Sequence, residues 1–188
     1  VHLGARAIGG AGVVCTEVIH TEPRGRITPG CLGLWSDEQR DCLTPIVEFI
    51  SDQGAIPAAQ IGHAGRKGSI SRPWEGSIPL TPDEGAWSTI SSSPNSFTEG
   101  WHRPEELTLA GISEVIEGFR NATRRARQAG FKIIELHGAH GYLINQFYSH
   151  LTNTRVDDYG GSFENRCRFL FEIIEAVRCE WPEEFPLF

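Results

Sequence analysis

The chain has 188 residues, 39% of them hydrophobic, enough to bury a core of ordinary domain size as one globular unit. Seventeen Lys and Arg against 24 Asp and Glu give a net charge of -7, and no basic cluster is longer than Arg124-Arg125, which disfavours binding to a nucleic-acid backbone. No apolar run approaches the ~20 residues of a membrane span, the first residues show no signal-peptide pattern, and with five scattered cysteines without CxxC spacing, reduced thiols in a cytoplasmic setting are expected.

Methionine is absent, the first residues read as part of a helix, and Pro186-Leu187-Phe188 reads as the start of a strand, so an interior fragment of a longer protein is expected. Three segments share one pattern, a helix end, a glycine, then a β-branched or apolar run: GGAGVVCTEV around Gly12, SDQGAIPAAQI around Gly54 and RQAGFKIIELH around Gly130. A glycine just past a helix supplies a left-handed residue, and a short buried run after it suits a parallel strand covered on both faces. Alternation of such runs with helices predicts βαβ units.

Three helices are expected between the runs. Ser36-Asp-Glu-Gln39 has capping-box form and opens a helical pattern to Ile50, with Pro45 expected to kink it or to start a second helix capped by Thr44. Leu109, Ile112, Val115, Ile116 and Phe119 share a face of a helix ending at Gly130 with cations in its last turns. Phe169, Leu170, Ile173, Ile174 and Val177 mark another, capped by Ser162 and closed before Pro182. Residues 62–108 form a long irregular stretch, expected to be an ordered wall or lid because it carries Trp74, Trp87 and Trp101.

Chemistry concentrates in Phe131–Arg166. An apolar run stops at His137, and His140 and Tyr142 follow within five residues. A tyrosine is protonated near pH 7 and can give a proton to a carbanion; two neutral imidazoles can each present an N–H to a carbonyl or nitro oxygen. That set suits reduction of an electron-poor C=C bond, and the hydride must come from a flavin or nicotinamide. Two other readings stand beside it: a strand-capping histidine with a core tyrosine, and a metal site built on the HxxH spacing with His63 or Asp157, for which a full ligand set is lacking.

The second constellation is Gln60-Ile-Gly-His-Ala-Gly-Arg-Lys67. Gln60 carries the donor and acceptor that a flavin pyrimidine edge requires, and Gly62 and Gly65 allow close approach of a flat ring; Gln60 satisfying strand-end backbone is equally compatible. Arg66 and Lys67 read as solvated loop charges. Arg155, Asp157, Asp158, Glu164 and Arg166 are expected to brace the Gly160-Gly161 turn.

HGAHGYLINQF followed by SHLTNTRVDDYGGSFENRCRFLFEIIEAVR resembles the signature of the Old Yellow Enzyme family of FMN-dependent ene-reductases, and QIGHAGRKGS and GRITPGCLGLWSDE resemble its bacterial xenobiotic-reductase branch. The resemblance covers essentially the whole chain. It implies an eight-stranded (β/α)8 TIM barrel, of which residues 1–188 form a single partial domain with the second to fourth strands, the 62–108 loop following the third. It further implies FMN reduced by NAD(P)H, and an α,β-unsaturated carbonyl or nitro compound gripped by His137 and His140 and protonated by Tyr142. Flavin contacts are implied at Gln60 and at the backbone of Val18, although Val18-Ile19-His20 stands where the family prefers small residues. The full-length protein is expected to be a homo-oligomer without a bound metal, nucleic-acid partner or membrane anchor. Because the first strand and everything from the fifth onward are missing from the pattern, the chain alone is expected to bind FMN weakly or not at all. A 2,4-dienoyl-CoA reductase-like enzyme and a non-catalytic barrel remnant are the alternatives.

Overall fold

Four parallel strand segments in one sheet organise the chain in the computed structural model, which describes residues 1–188. Helix α1 (His2–Ile8) leads into β1 (Val13–Cys15) and β2 (Ile19–His20), followed by α2 (Asp37–Asp52) and β3 (Ile56–Gly62). The long segment after β3 holds three 3-10 turns and two short strands, β4 (Ile90–Ser91) and β5 (Glu105–Glu106), which pair parallel with each other. Then come α3 (Leu109–Ala129), β6 (Ile133–Leu136), α4 (Leu143–Tyr148) and α5 (Phe163–Arg178).

β3 is the hub. On one side it pairs with β1 through Val13–Ile56 to Cys15–Ala58 and with β2 through Ile19–Ile61 and His20–Gly62. On the other it pairs with β6 through Ala58–Ile133 to Ile61–Leu136, and Leu187 begins a further parallel pairing at Ile134. The expected strand start at the C-terminal end is therefore present.

Side chains alternate across a strand with a period of two. Ala59, Ile61 and Ile134 face the helices and join Phe119, Phe131, Phe147, Phe169 and Ile173 in one core. Gln60 and Glu135 face the other way, into what would be a barrel interior, where their side chains hydrogen-bond at 2.6 Å.

α3 presents Ile112, Val115, Phe119, Ala122, Ala126 and Ala129 to this core, while Leu109 at its first turn is exposed. Its cap is Thr108 Oγ1, which accepts from Gly111 N, and Gly130 ends it at φ +97°. Ser36 and Gln39 form the capping box of α2, and Ser162 caps α5.

Two local expectations are corrected. The left-handed residue after α1 is Gly10, at φ +87°, and not Gly12. α2 runs through Pro45 as one helix: Thr44 is interior, and its hydroxyl donates to Arg40 O. Tolerating Pro45 costs the Asp41 carbonyl its intrahelical partner, but Asp41 lies on an exposed part of α2 where water can serve.

The 62–108 segment is pinned to the body. Ser92 Oγ donates to Gln146 O and Thr154 N to Ser93 Oγ, while Arg66, inside the segment, ties it together by donating to Asn95 O and Ser96 O. Trp87 stacks under Arg26, and Trp101 packs on Phe97; Trp74 is 80% exposed and anchors nothing.

Candidate active site

β6 ends at Leu136 and α4 begins at Leu143; the six residues between them carry His137, His140 and Tyr142. The two imidazoles therefore lie in a strand-to-helix turn and not on one helical face, and no three His, Cys, Asp or Glu side chains gather closely enough to hold a metal ion. Tyr142 is the N-cap residue of α4.

The three rings converge. His137 Nε2 and His140 Nδ1 are 3.1 Å apart, and ring centroids lie 4.9 Å from His137 to Tyr142 and 6.1 Å from His140 to Tyr142. His137 Nδ1 accepts the Ala139 N–H at 3.3 Å, so the proton of a neutral His137 belongs on Nε2, which then donates to His140 Nδ1. Without a ligand the first imidazole N–H is thus spent on the second. An oxygen placed beside the pair would compete for that proton and could also take the remaining N–H of His140.

Electrostatics suits the assignment. Burial, and then the neighbouring His140, lower the pKa of His137 and favour its neutral form. Burial, and then Cys31, raise the pKa of the Tyr142 phenol, which keeps its proton.

Glycines let the strands crowd here. A Cβ on Gly62 would stand 2.9 Å from Val18 Cγ2 and 3.0 Å from His137 Cβ, closer than packed side chains allow. Gln60 has its Nε2 committed to Glu135 and its Oε1 without a partner in the chain. An acceptor facing the open side of the sheet, beside a residue stripped of its side chain, fits one edge of a flat heterocycle such as FMN. Val18 is half-buried on the opposite wall of Gly62. Gln60, Val18 and His137 are thus brought to one patch, with His140 and Tyr142 at its rim.

Several contributors escaped the sequence reading. Lys67, read as a solvated charge, donates to His140 O at 2.8 Å and lies 4.2 Å from the Phe97 ring centroid. Arg66 is spent on the loop carbonyls of Asn95 and Ser96. His63 is buried, pairs with Glu22 at 2.7 Å through Nε2, and accepts the Gly65 N–H at Nδ1. Burial raises the Glu22 pKa, but the His63 and Arg24 contacts outweigh it and the net shift is downward. Arg155 binds Asp157 as expected. It also binds Ser92 O, Leu107 O and Glu106, so the brace reaches back to the long segment instead of closing on Glu164 and Asp158. Arg166 holds Tyr148 O and Gly161 O.

Known proteins resemble the chain along its whole length. The chain is 45% identical over 188 residues to an NADPH dehydrogenase of Geobacillus sp. and 43% identical over 187 residues to one of Clostridium acetobutylicum; each alignment covers all of this chain and about half of the relative, 50% and 51%. The chain therefore spans about half the length of the curated relatives it matches. Among solved structures it superposes on morphinone reductase with a TM-score of 0.84 at 30% identity, covering 98% of this chain and 50% of that one. It superposes on a 2-naphthoyl-CoA reductase with a TM-score of 0.86 at 32% identity, covering 99% of this chain and 28% of that one. The strands and helices described above are thus consecutive units of a (β/α) barrel. Residues 1–187 match the NADH:flavin oxidoreductase / NADH oxidase family, and the chain belongs to that family.

Proposed function

We propose that this chain is the substrate-gripping part of an FMN-dependent, NAD(P)H-reduced oxidoreductase that reduces activated C=C bonds of α,β-unsaturated carbonyl and nitro compounds. The observation that carries the reading is the convergence of His137, His140 and Tyr142 at the carboxyl end of β6, beside Gln60 and Gly62. FMN, held at Gln60 and the Val18 backbone, supplies the hydride when bound.

The chain's own groups do the rest. His137 Nε2–H and an N–H of His140 hold the substrate oxygen and stabilise the charge that grows on it. Tyr142 Oη gives its proton to the α-carbon, and its raised pKa keeps that proton in place at neutral pH. The oxygen and the α-carbon are the two ends of one O–C–Cα unit, which carries the negative charge once the β-carbon has been reduced, which is why the groups that serve them stand within one turn of chain.

A reduction assay with excess FMN, NADPH and a simple cyclic enone tests the reading. Tyr142→Phe should slow enone reduction by about 10²-fold while leaving flavin reduction by NADPH unchanged. Equal enone rates in the two proteins would remove Tyr142 from the mechanism.

The likeness to a 2-naphthoyl-CoA reductase supports a second reading, in which the reduced bond belongs to an acyl-CoA thioester. Comparing kcat/KM for a free enone with that for the matching enoyl-CoA thioester decides between them.

A further inference from the structure

The turn that carries His140 is unusual backbone. His140 has φ +57° and Gly141 φ +70°, two successive left-handed residues, the first of them not glycine. Each of their carbonyls is held by a side chain: His140 O by Lys67 Nζ at 2.8 Å, Gly141 O by Gln146 Nε2 at 2.7 Å.

Gln146 is fully buried on α4. Its Oε1 accepts from Arg66 N at 3.2 Å, and its Nε2 donates also to Ala64 O at 3.2 Å. The side chain fills the space that a Cβ on Gly65 would occupy, and Gly65 is itself left-handed at φ +61°. One amide therefore spans the turn after β3, which follows Gln60 and Gly62, and the turn after β6, which carries His140. All of its hydrogen-bonding partners are backbone groups in those two turns.

We infer that Gln146 is the positioning residue of this site: its side-chain amide clamps the His140-Gly141 turn to the Ala64-Arg66 turn and so sets the His137–His140 separation. This rests on reading the histidine pair as the grip on the substrate oxygen. Gln146 touches no reacting atom; its effect passes through the left-handed turn to the imidazole of His140. A misplacement of such a group by an ångström is enough to cost about 10²-fold in rate.

The test is imidazole NMR on the protein labelled with ¹⁵N, which reads the His137–His140 hydrogen bond without flavin or turnover. Gln146→Met, of similar length but without polar atoms, and Gln146→Glu, which keeps the acceptor toward Arg66 N and loses both donated bonds, should each abolish the signature of a hydrogen-bonded His140 Nδ1. Ser92→Ala removes a bond to the Gln146 main-chain carbonyl and leaves the side chain alone; it should keep the signature even if it lowers stability. Retention of the pair in both Gln146 variants, or its loss in Ser92→Ala to the same degree, overturns the inference. Should neither Gln146 variant fold, the wild-type protein still decides. The Gln146 Nε2 protons should exchange at least about tenfold more slowly than those of exposed Gln53, and equal exchange overturns the clamp. Absence of enone reduction by the wild type with excess FMN would defeat the oxidoreductase reading alone and leave the imidazole result standing.

Discussion

At the scale of single residues, buried imidazoles make the fold sensitive to acid. His20 is fully buried with neither ring nitrogen partnered, and burial, with His63 next, pushes its pKa down from 6.5 to about 3. The unfolded chain therefore binds a proton that the folded chain refuses. Stability is fully present above the unfolded value near 6.5 and is lost as pH falls toward 3. His137 shifts in the same direction. Urea unfolding across this range should show stability falling by about 1.4 kcal/mol per pH unit for each such proton. His20→Leu should flatten that slope, and an unchanged slope would clear His20 of the role. Residue types made the grouping of His137, His140 and Tyr142 legible, because a tyrosine and two histidines within six positions have few chemical uses. Gln146 was not legible: its partners are backbone atoms of Ala64, Arg66 and Gly141, and nothing in a glutamine within an apolar run announces three such contacts. Lys67 was misread for the same reason, since its partner is the main-chain carbonyl of His140.

At the scale of elements, local chemistry is strongest where cap and period agree. Ser36 accepts from Gln39 N while Gln39 returns a bond to Ser36 N. Ser36→Ala should cost about 1 kcal/mol, read by thermal or urea unfolding, without moving the histidine turn. The period of α3 identified its buried face from Ile112 onward, while Leu109, in the first turn, is 58% exposed. Thr44 starts no second helix, because a proline inside a helix is tolerated where the freed carbonyl faces solvent. Order in the 62–108 segment comes partly from within, through Arg66 and the β4–β5 pairing, and partly from Arg155, whose side chain is 4% exposed and holds Ser92 O and Leu107 O. Arg155→Met should therefore destabilise the protein by about 3 kcal/mol and raise amide exchange around Ser92 and Leu107. Exchange confined to residues 155–160 would show that Arg155 serves its own loop only.

At the scale of the whole molecule, the sheet has two unfinished sides. β1 pairs only with β3, β2 adds to β3 only a single bridge from His20 to Gly33, and the strand beginning at Leu187 pairs only with β6. The inward face around Val13, Cys15 and Ile56 is exposed. Open parallel edges with an uncovered face are liable to self-association, and under the proposed function a flavin edge held by Gln60 without the rest of a barrel would be weakly held. Fluorescence titration should give weak, readily reversible FMN binding by this chain; a flavin retained stoichiometrically through gel filtration would contradict that. The barrel units were legible because glycine-ended helices and apolar runs recur along the chain. The end-to-end placement of β1 and β2 along one flank of β3 was not, because a break of three residues within a strand carries no distinct composition.

The central claim is that His137 and His140 grip one and the same substrate oxygen. A double-mutant cycle on kcat/KM for enone reduction, with FMN in excess, tests it most directly. Each of His137→Ala and His140→Ala should lower kcat/KM by about 10²-fold, and the double variant should lose far less than the product, because the second removal acts on a grip already broken. Strictly multiplicative losses, or a single variant as active as the wild type, would contradict the account.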